Sequence, residues 1–501
     1  MRSGKGFAET DRRALIAGLG ASAVLLLPHQ ARAATPAAPP LKTLLDHALQ
    51  AYPTHSEMLR RLRAGPAAAL GREDAAILKM VVRGIECDEA MARDFPLAKP
   101  GGGSPYVVSQ RHGAWRDVED GPIGPVNRFH SLEVEADLLR AAAARGIVPP
   151  AFMLGAVEAG LKARFAKNPP AAVVREIETV RSLGATAPRE PGVWQFPGGP
   201  DYYALRLRSA TGTDMTPADL DRLVTERIAV LTRRLDGLLK RLGLSRGSVG
   251  ARLRALKQRP DYLYPNNDAG REHAVADMNA ALDRLRPRLA AWFNPPFEAN
   301  ARVRRMSAAD EAAGKRGYRD PSSETYYPDL ANVHDRPAWT LTTVACHETL
   351  PGHMIELRRE ERAAPHPLQL RYAAGAAEGW AIYAESLADR IGLLSPIEQA
   401  GFLQSCLFRL ARVVADLGIH VHRWTRARAI AYLEDTVGFE LFFPFAQEVD
   451  RYAAEPAGFA GDAAHALTLI DLARRRGDPR AFHDRVLNRG PLSLEALLEI
   501  A

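Results

Sequence analysis

The chain has little cysteine, few aromatic residues and no long apolar run beyond Leu27. Its three cysteines, Cys87, Cys346 and Cys406, are an odd and sparse set. Such a set builds no disulfide framework, even in a compartment that would permit one. Cys346 abuts His347, but a lone thiol is expected to be buried as a small hydrophobe. Without a long internal apolar run, the mature chain is expected not to span a membrane. No Lys/Arg stripe is interleaved with aromatics, so nucleic acid is not an expected partner. The basic balance of +7 does not alter that. Residues 1–33 carry five Lys/Arg and two Asp/Glu, and their removal leaves +4.

What is present begins with a targeting signal. Arg12-Arg13 precede an apolar stretch from Ala14 to Leu27 that is too short for a comfortable membrane span. Ala31-Arg32-Ala33 offers small residues for cleavage after Ala33. The paired arginines resemble a twin-arginine signal, so an exported, periplasmic protein is expected. An uncleaved N-terminal anchor is the alternative. Ala34 to Pro40 reads as a loose leader.

The rest reads as mostly α-helical. Two helical lobes around a deep cleft are expected, with a small β element beside the site described below. The N-terminal lobe is placed at 34–200 and the catalytic region at 201–501. The Gly/Pro/aromatic-rich stretch from Pro191 to Tyr203 marks the boundary. Thr216 is expected to cap a helix with Pro217 at its first position. Leu220, Val224, Ile228, Leu231, Leu235, Leu238 and Leu242 form its apolar stripe. The segment Gly243-Leu244-Ser245-Arg246-Gly247 matches a serine-hydrolase elbow. That elbow requires a strand before it, and here a helix precedes, so Gly243 reads as a helix cap. Met306 to Asp320 reads as a charged surface loop. Asn127 to His130 reads as an ordinary loop.

The chemistry is concentrated in Cys346-His347-Glu348-Thr349-Leu350-Pro351-Gly352-His353. Two imidazoles with a neighbouring carboxylate suit a zinc site and a base toward water. Helical zinc motifs space their histidines at i and i+4. Here the spacing is i+6, roughly 240° around an ideal helix. Pro351 clashes with the carbonyl of His347 and lacks a donor, so the helix breaks there. Gly352 tolerates the backbone that the break requires. A bulge at Pro-Gly can bring His353 back toward the ion. The competing reading is a plain turn flanked by polar residues.

His-Glu-x-x-Pro-Gly-His resembles the signature of the DUF885 family of bacterial proteins, which is similar to the gluzincin metallopeptidases. Other segments follow in family order: Tyr326-Tyr327-Pro328-Asp329-Leu330, Glu378-Gly379-Trp380-Ala381, Asp416 to His420, Trp424-Thr425-Arg426, and Arg451-Tyr452. The resemblance runs from about Tyr202 to the C-terminus. It implies Zn2+ on His347, His353 and Glu378, with Glu348 as general base and peptides as substrate. It also implies Glu385, seven residues after Glu378 on the same helix face, as a supporting carboxylate.

Arg409, Arg412, Asp416 and His420 make one polar stripe on a helix opened by Ser395-Pro396-Ile397-Glu398. A buried ion-pair network is the alternative to a cleft face. The family match makes His420 a candidate catalytic donor oriented by Asp416. Arg451 and Tyr452 become candidate substrate-binding residues, a peptide carboxylate being a natural partner for arginine. A salt bridge from Arg451 to Glu448 or Glu455 remains the alternative. The chain departs from the family after Pro456, which Ala457-Gly458-Phe459 follow, and at Met354 and Glu356. The expected activity is therefore an exported zinc-dependent peptidase. A zinc-binding pseudoenzyme or peptide-binding protein without turnover is the second reading.

Overall fold

The computed structural model describes residues 40–501 except 52, 66–69, 100–102, 119–128, 296–299 and 441–442. The expected export signal lies outside these residues, as do Asn127 and Arg128 of the expected Asn127–His130 loop; Phe129 is in a turn and His130 opens the helix His130–Ala144. The fold is mostly α-helical, as the sequence predicts, and its only sheet among the described residues has three short strands.

Two long helices form the frame. Pro217–Arg241 opens on Thr216, whose hydroxyl accepts from the Asp219 amide while Asp219 accepts from Thr216, a reciprocal cap. Leu220, Val224, Leu235, Leu238 and Leu239 bury its apolar face. Gly243 follows its end with a left-handed φ of +82°. Ser245 is exposed past that end, with no strand before it. The second long helix, Pro396–His420, opens on the same kind of cap between Ser395 and Glu398. It is buried along nearly its whole length and packs against Pro217–Arg241 on one side and Ala338–Glu348 on another. Gly401 permits the second approach: a Cβ there would lie 2.2 Å from the Trp339 carbonyl.

The strands are β1 (Arg302–Val303), β2 (Tyr318–Asp320) and β3 (Thr325–Tyr327), in the order β1-β3-β2. β1 runs parallel to β3 and β2 antiparallel, with Arg319 opposite Tyr326. The stretch expected to be a surface loop thus ends in a strand.

Among the described residues, three apolar clusters fill the interior. The largest joins the N-terminal helices from Leu41 to Ile85 with residues 235–501. A second joins residues 91–207 with the C-terminal half of Pro396–His420 and the helices after it. Only residues 108–180 close on a cluster of their own. Both larger cores draw on residues from either side of position 200. Cys87, Cys346 and Cys406 are all buried and free. No helix among the described residues is long and apolar enough to cross a membrane.

Candidate metal centre

Three helices converge on one point. Ala338–Glu348 supplies His347 in its last turn, His353–Ala363 supplies His353 as its first residue, and Ala376–Arg390 supplies Glu378 in its first turn. The expected bulge is a full break between two helices. Gly352 N–H donates to the Cys346 carbonyl at 3.0 Å across it. A Cβ on Gly352 would lie 2.0 Å from the His347 carbonyl, so only glycine fits. The Trp380 indole donates to the carbonyls of Pro351 and Gly352 at 3.1 and 3.2 Å. Trp380 thereby ties the turn that carries His353 to the helix that carries Glu378.

One ligand-type atom from each of His347, His353 and Glu378 lies within 4.8 Å of the others. Glu378 Oε2 is 3.6 Å from His347 Nε2, and its Oε1 is 3.5 Å from His353 Nε2. The two imidazoles stand nearly perpendicular, 5.0 Å apart. Both are buried, and Glu378 is one-third exposed, so the group opens to solvent on the Glu378 side.

Carboxylates hold the far sides of both rings. His347 Nδ1 donates to Glu385 at 2.9 Å, and His353 Nδ1 lies 3.4 Å from Glu356. With the protons assigned to Nδ1, both Nε2 lone pairs point inward, the tautomer a metal ligand needs. His353 Nε2 is buried with no hydrogen-bond partner. A buried acceptor left unmatched costs free energy that a bound cation would recover. Two imidazoles, a carboxylate and an open side fit a zinc-type ion.

Without an ion, the electrostatics favour a different state: an ionised Glu378 beside a protonated His347, whose proton a metal would have to displace. Burial raises Glu378, but its pairing with the His347 and His353 imidazoles outweighs it and holds the carboxyl well below its usual range. Burial and the Arg409 guanidinium oppose charge on His347. The Glu378 and Glu385 carboxylates on either side of the ring overcome both and lift it to about 9.

Glu348 follows His347 and sits beside the group, where it ion-pairs with Arg319 of β2 in a short contact. Burial pushes its carboxyl up, but Arg319, His347 and His353 bring it below the ordinary value. Arg409 reaches Glu378 Oε2 and His347 Nε2 at 3.3 Å each, and Glu385 at 3.7 Å.

The polar stripe on Pro396–His420 divides. Arg409 faces the metal-type group. Arg412 turns to Glu448 at 3.5 Å and lies 3.4 Å over the Phe459 ring. Asp416 accepts from the Tyr203 hydroxyl at 2.6 Å and from the Ala457 amide at 3.1 Å. His420 accepts from the Val193 amide at Nδ1, and its Nε2–H donates to the Tyr452 carbonyl. Eleven residues past Arg409, His420 lies about 16 Å further along the helix. The structure does not bring it to the metal-type group, and both its nitrogens are taken by backbone. Burial raises Asp416 to about 7 and lowers His420 to about 4, so the pair joins helices in a low-charge state.

Arg451 and Tyr452 are likewise not among the groups around His347. Arg451 lies 3.5 Å from Glu455 and 4.5 Å from the Phe459 ring centroid. Tyr452 is fully buried.

Sequence reasoning missed Arg319, whose position on a strand was hidden in a charged stretch. It also left Glu356 without a role, although its i+3 spacing from His353 was a readable signal.

Fold and site together define a mostly α-helical protein with a His-His-Glu group whose two histidines are buried. The chain belongs to the DUF885 family, described as a bacterial protein of unknown function, whose profile matches residues 105–500. Two solved structures share the fold. One is a protein from Colwellia psychrerythraea provisionally described as a lipoprotein: 21% identity, TM-score 0.73, covering 89% of each chain. The other, from Shewanella oneidensis, is provisionally described as a lipoprotein of unknown function: 14% identity, TM-score 0.64, covering 88% of this chain and 90% of that one. No functionally curated protein matches the chain.

Proposed function

We propose that this protein is an exported zinc-dependent peptidase. The observation that carries the reading is the convergence of His347, His353 and Glu378, with both histidines backed by carboxylates. Zinc held there would polarise a scissile carbonyl and make water a competent nucleophile near neutral pH. Glu348 supplies the proton acceptor, and it returns that proton to the leaving amine. Its depressed pKa keeps it ionised for the first of these steps. Glu385 and Glu356 fix the tautomers of the two histidines. Export rests on Arg12-Arg13 and Ala31-Arg32-Ala33.

A second reading, metal or peptide binding without turnover, draws on two contacts. Arg319 engages Glu348, and Arg409 lies against both Glu378 and His347. Both arginines place positive charge where a working base and a cation would sit.

Zinc content and cleavage of a mixed peptide library separate the two. The peptidase reading expects wild-type protein to bind zinc and cleave peptides, and Glu348→Gln to bind zinc and not cleave. Zinc binding with no cleavage by the wild type favours the second reading.

A further inference from the structure

A pocket opens directly against the metal-type group, with an empty volume of about 720 Å³ that includes its mouth. His347, Glu348 and Arg409 belong to its wall, so it is continuous with the site described above. The rest is largely apolar: Tyr326, Leu330, Pro337, Leu341, Val344 and Phe439 line it. Three of these come from the β3 side and its following loop, two from the helix that carries His347, and Phe439 from beyond the long central helix.

The helix Ala338–Glu348 explains how wall and site come to be one surface. Leu341, Val344 and Glu348 follow each other at i+3 and i+4, on one helix face. Whatever occupies the space beside Leu341 and Val344 therefore lies within one or two helical turns of the base. Thr343, one turn before His347, adds a buried hydroxyl with no hydrogen-bond partner. The charged lining residues away from the metal-type group are Asp329, Asp335 and Glu440 against Arg336. That balance disfavours an acidic occupant.

We propose that this pocket is the specificity subsite for a bulky apolar side chain of a peptide substrate, leucine or an aromatic residue next to the scissile bond. The assignment rests on the peptidase reading and adds to it the class of substrate. An apolar side chain entering here leaves water for a preformed apolar wall, which is the dominant favourable term in such binding. Its backbone is then held beside His347 and Glu348, which line the pocket. Small side chains leave the wall unfilled, and acidic ones meet the acidic lining.

The test uses the full mature chain loaded with zinc, and a peptide series that varies one residue among Ala, Leu, Phe, Lys and Asp. Cleavage by the wild type is followed by mass spectrometry. Binding to the Glu348→Gln protein is followed by calorimetry. Leu and Phe peptides are expected to bind at least about tenfold more tightly than the Ala peptide, with Asp weakest. Val344→Phe, introduced into both proteins, narrows the pocket at a half-buried position. It is expected to collapse the Phe-to-Ala ratio toward one while zinc stoichiometry stays at the parent value. Leu341→Ala, which widens the pocket, is expected to shift preference toward the largest side chains. Cleavage and binding that show no apolar preference, or a preference unmoved by both variants, overturn the subsite and leave the peptidase reading standing. Absence of cleavage of every peptide overturns the peptidase reading, and the subsite falls with it.

Discussion

Glu385 holds the Nδ1 nitrogen of His347 at 2.9 Å. Glu378, seven residues earlier on the same helix, lies 3.6 Å from the opposite nitrogen of that imidazole. A separation of i,i+7 spans about 10 Å of helix, so one face presents a carboxylate to each side of the ring. The two glutamates consequently have different work. Glu378→Ala removes a proposed ligand, and zinc affinity is expected to fall beyond measurement. Glu385→Ala leaves the ligands in place but frees the ring, and a loss of about 10–100-fold is expected. Zinc titration of both variants checks this, with helicity measured alongside. The reverse order of losses would exchange the two roles.

Arg319 depresses the Glu348 carboxyl by a direct ion pair. Removing the guanidinium in Arg319→Ala raises that pKa, because the charged form loses its partner. Where Glu348 must be ionised to act, the acid limb of the pH–rate profile then moves to higher pH. The profile of kcat/KM for a cleaved peptide measures it. An unmoved acid limb would separate Arg319 from the base.

Gly352 sits where a side chain would meet backbone, 2.0 Å from the His347 carbonyl and 2.5 Å from that of Cys346. Its φ of −77° lies outside the left-handed region, so the restriction is read from this close approach to backbone. Gly352→Ala is expected to displace His353, abolish stoichiometric zinc binding and lower the unfolding temperature. Calorimetry and thermal unfolding test both effects. Native zinc affinity in this variant would contradict the account of the turn.

Away from the site, Glu176 is fully buried with both oxygens unpartnered, and burial lifts it from 4.5 to about 8. The folded state therefore keeps a proton that the unfolded state releases. Its contribution is fully present below about pH 4.5 and is lost as pH rises through about 8. Glu176→Gln is expected to unfold at a higher temperature than wild type near pH 9, with the difference shrinking toward pH 5. A difference constant with pH would mean that the carboxyl does not titrate in this way.

Much of this was legible in the residues. Thr216-Pro217 and Ser395-Pro396 announce two helices through local capping chemistry, which needs no tertiary information. Pro351 and Gly352 announce the break between the two histidines for the same reason. The share of Glu378 and Glu385 in one helix face follows from spacing alone. Arg319 could not be found this way, because its partner is reached only when a short strand folds beside the ligand helix. The stripe from Arg409 to His420 shows the converse limit. Spacing places four polar residues on one face, but only packing decides that Arg409 meets Glu378 while His420 binds the backbone of Val193 and Tyr452. His420→Ala should accordingly lower thermal stability and leave zinc stoichiometry intact, as unfolding scans and elemental analysis of the variant would show.

The most direct test of the metal centre is calorimetric titration of zinc into the metal-free mature protein, alongside His353→Ala. One zinc per chain is predicted for the wild type, with proton release on binding because His347 gives up a proton, and no stoichiometric binding for the variant. A wild-type chain that takes up no zinc, or a variant that binds it as tightly as the wild type, would contradict the assignment of His347, His353 and Glu378.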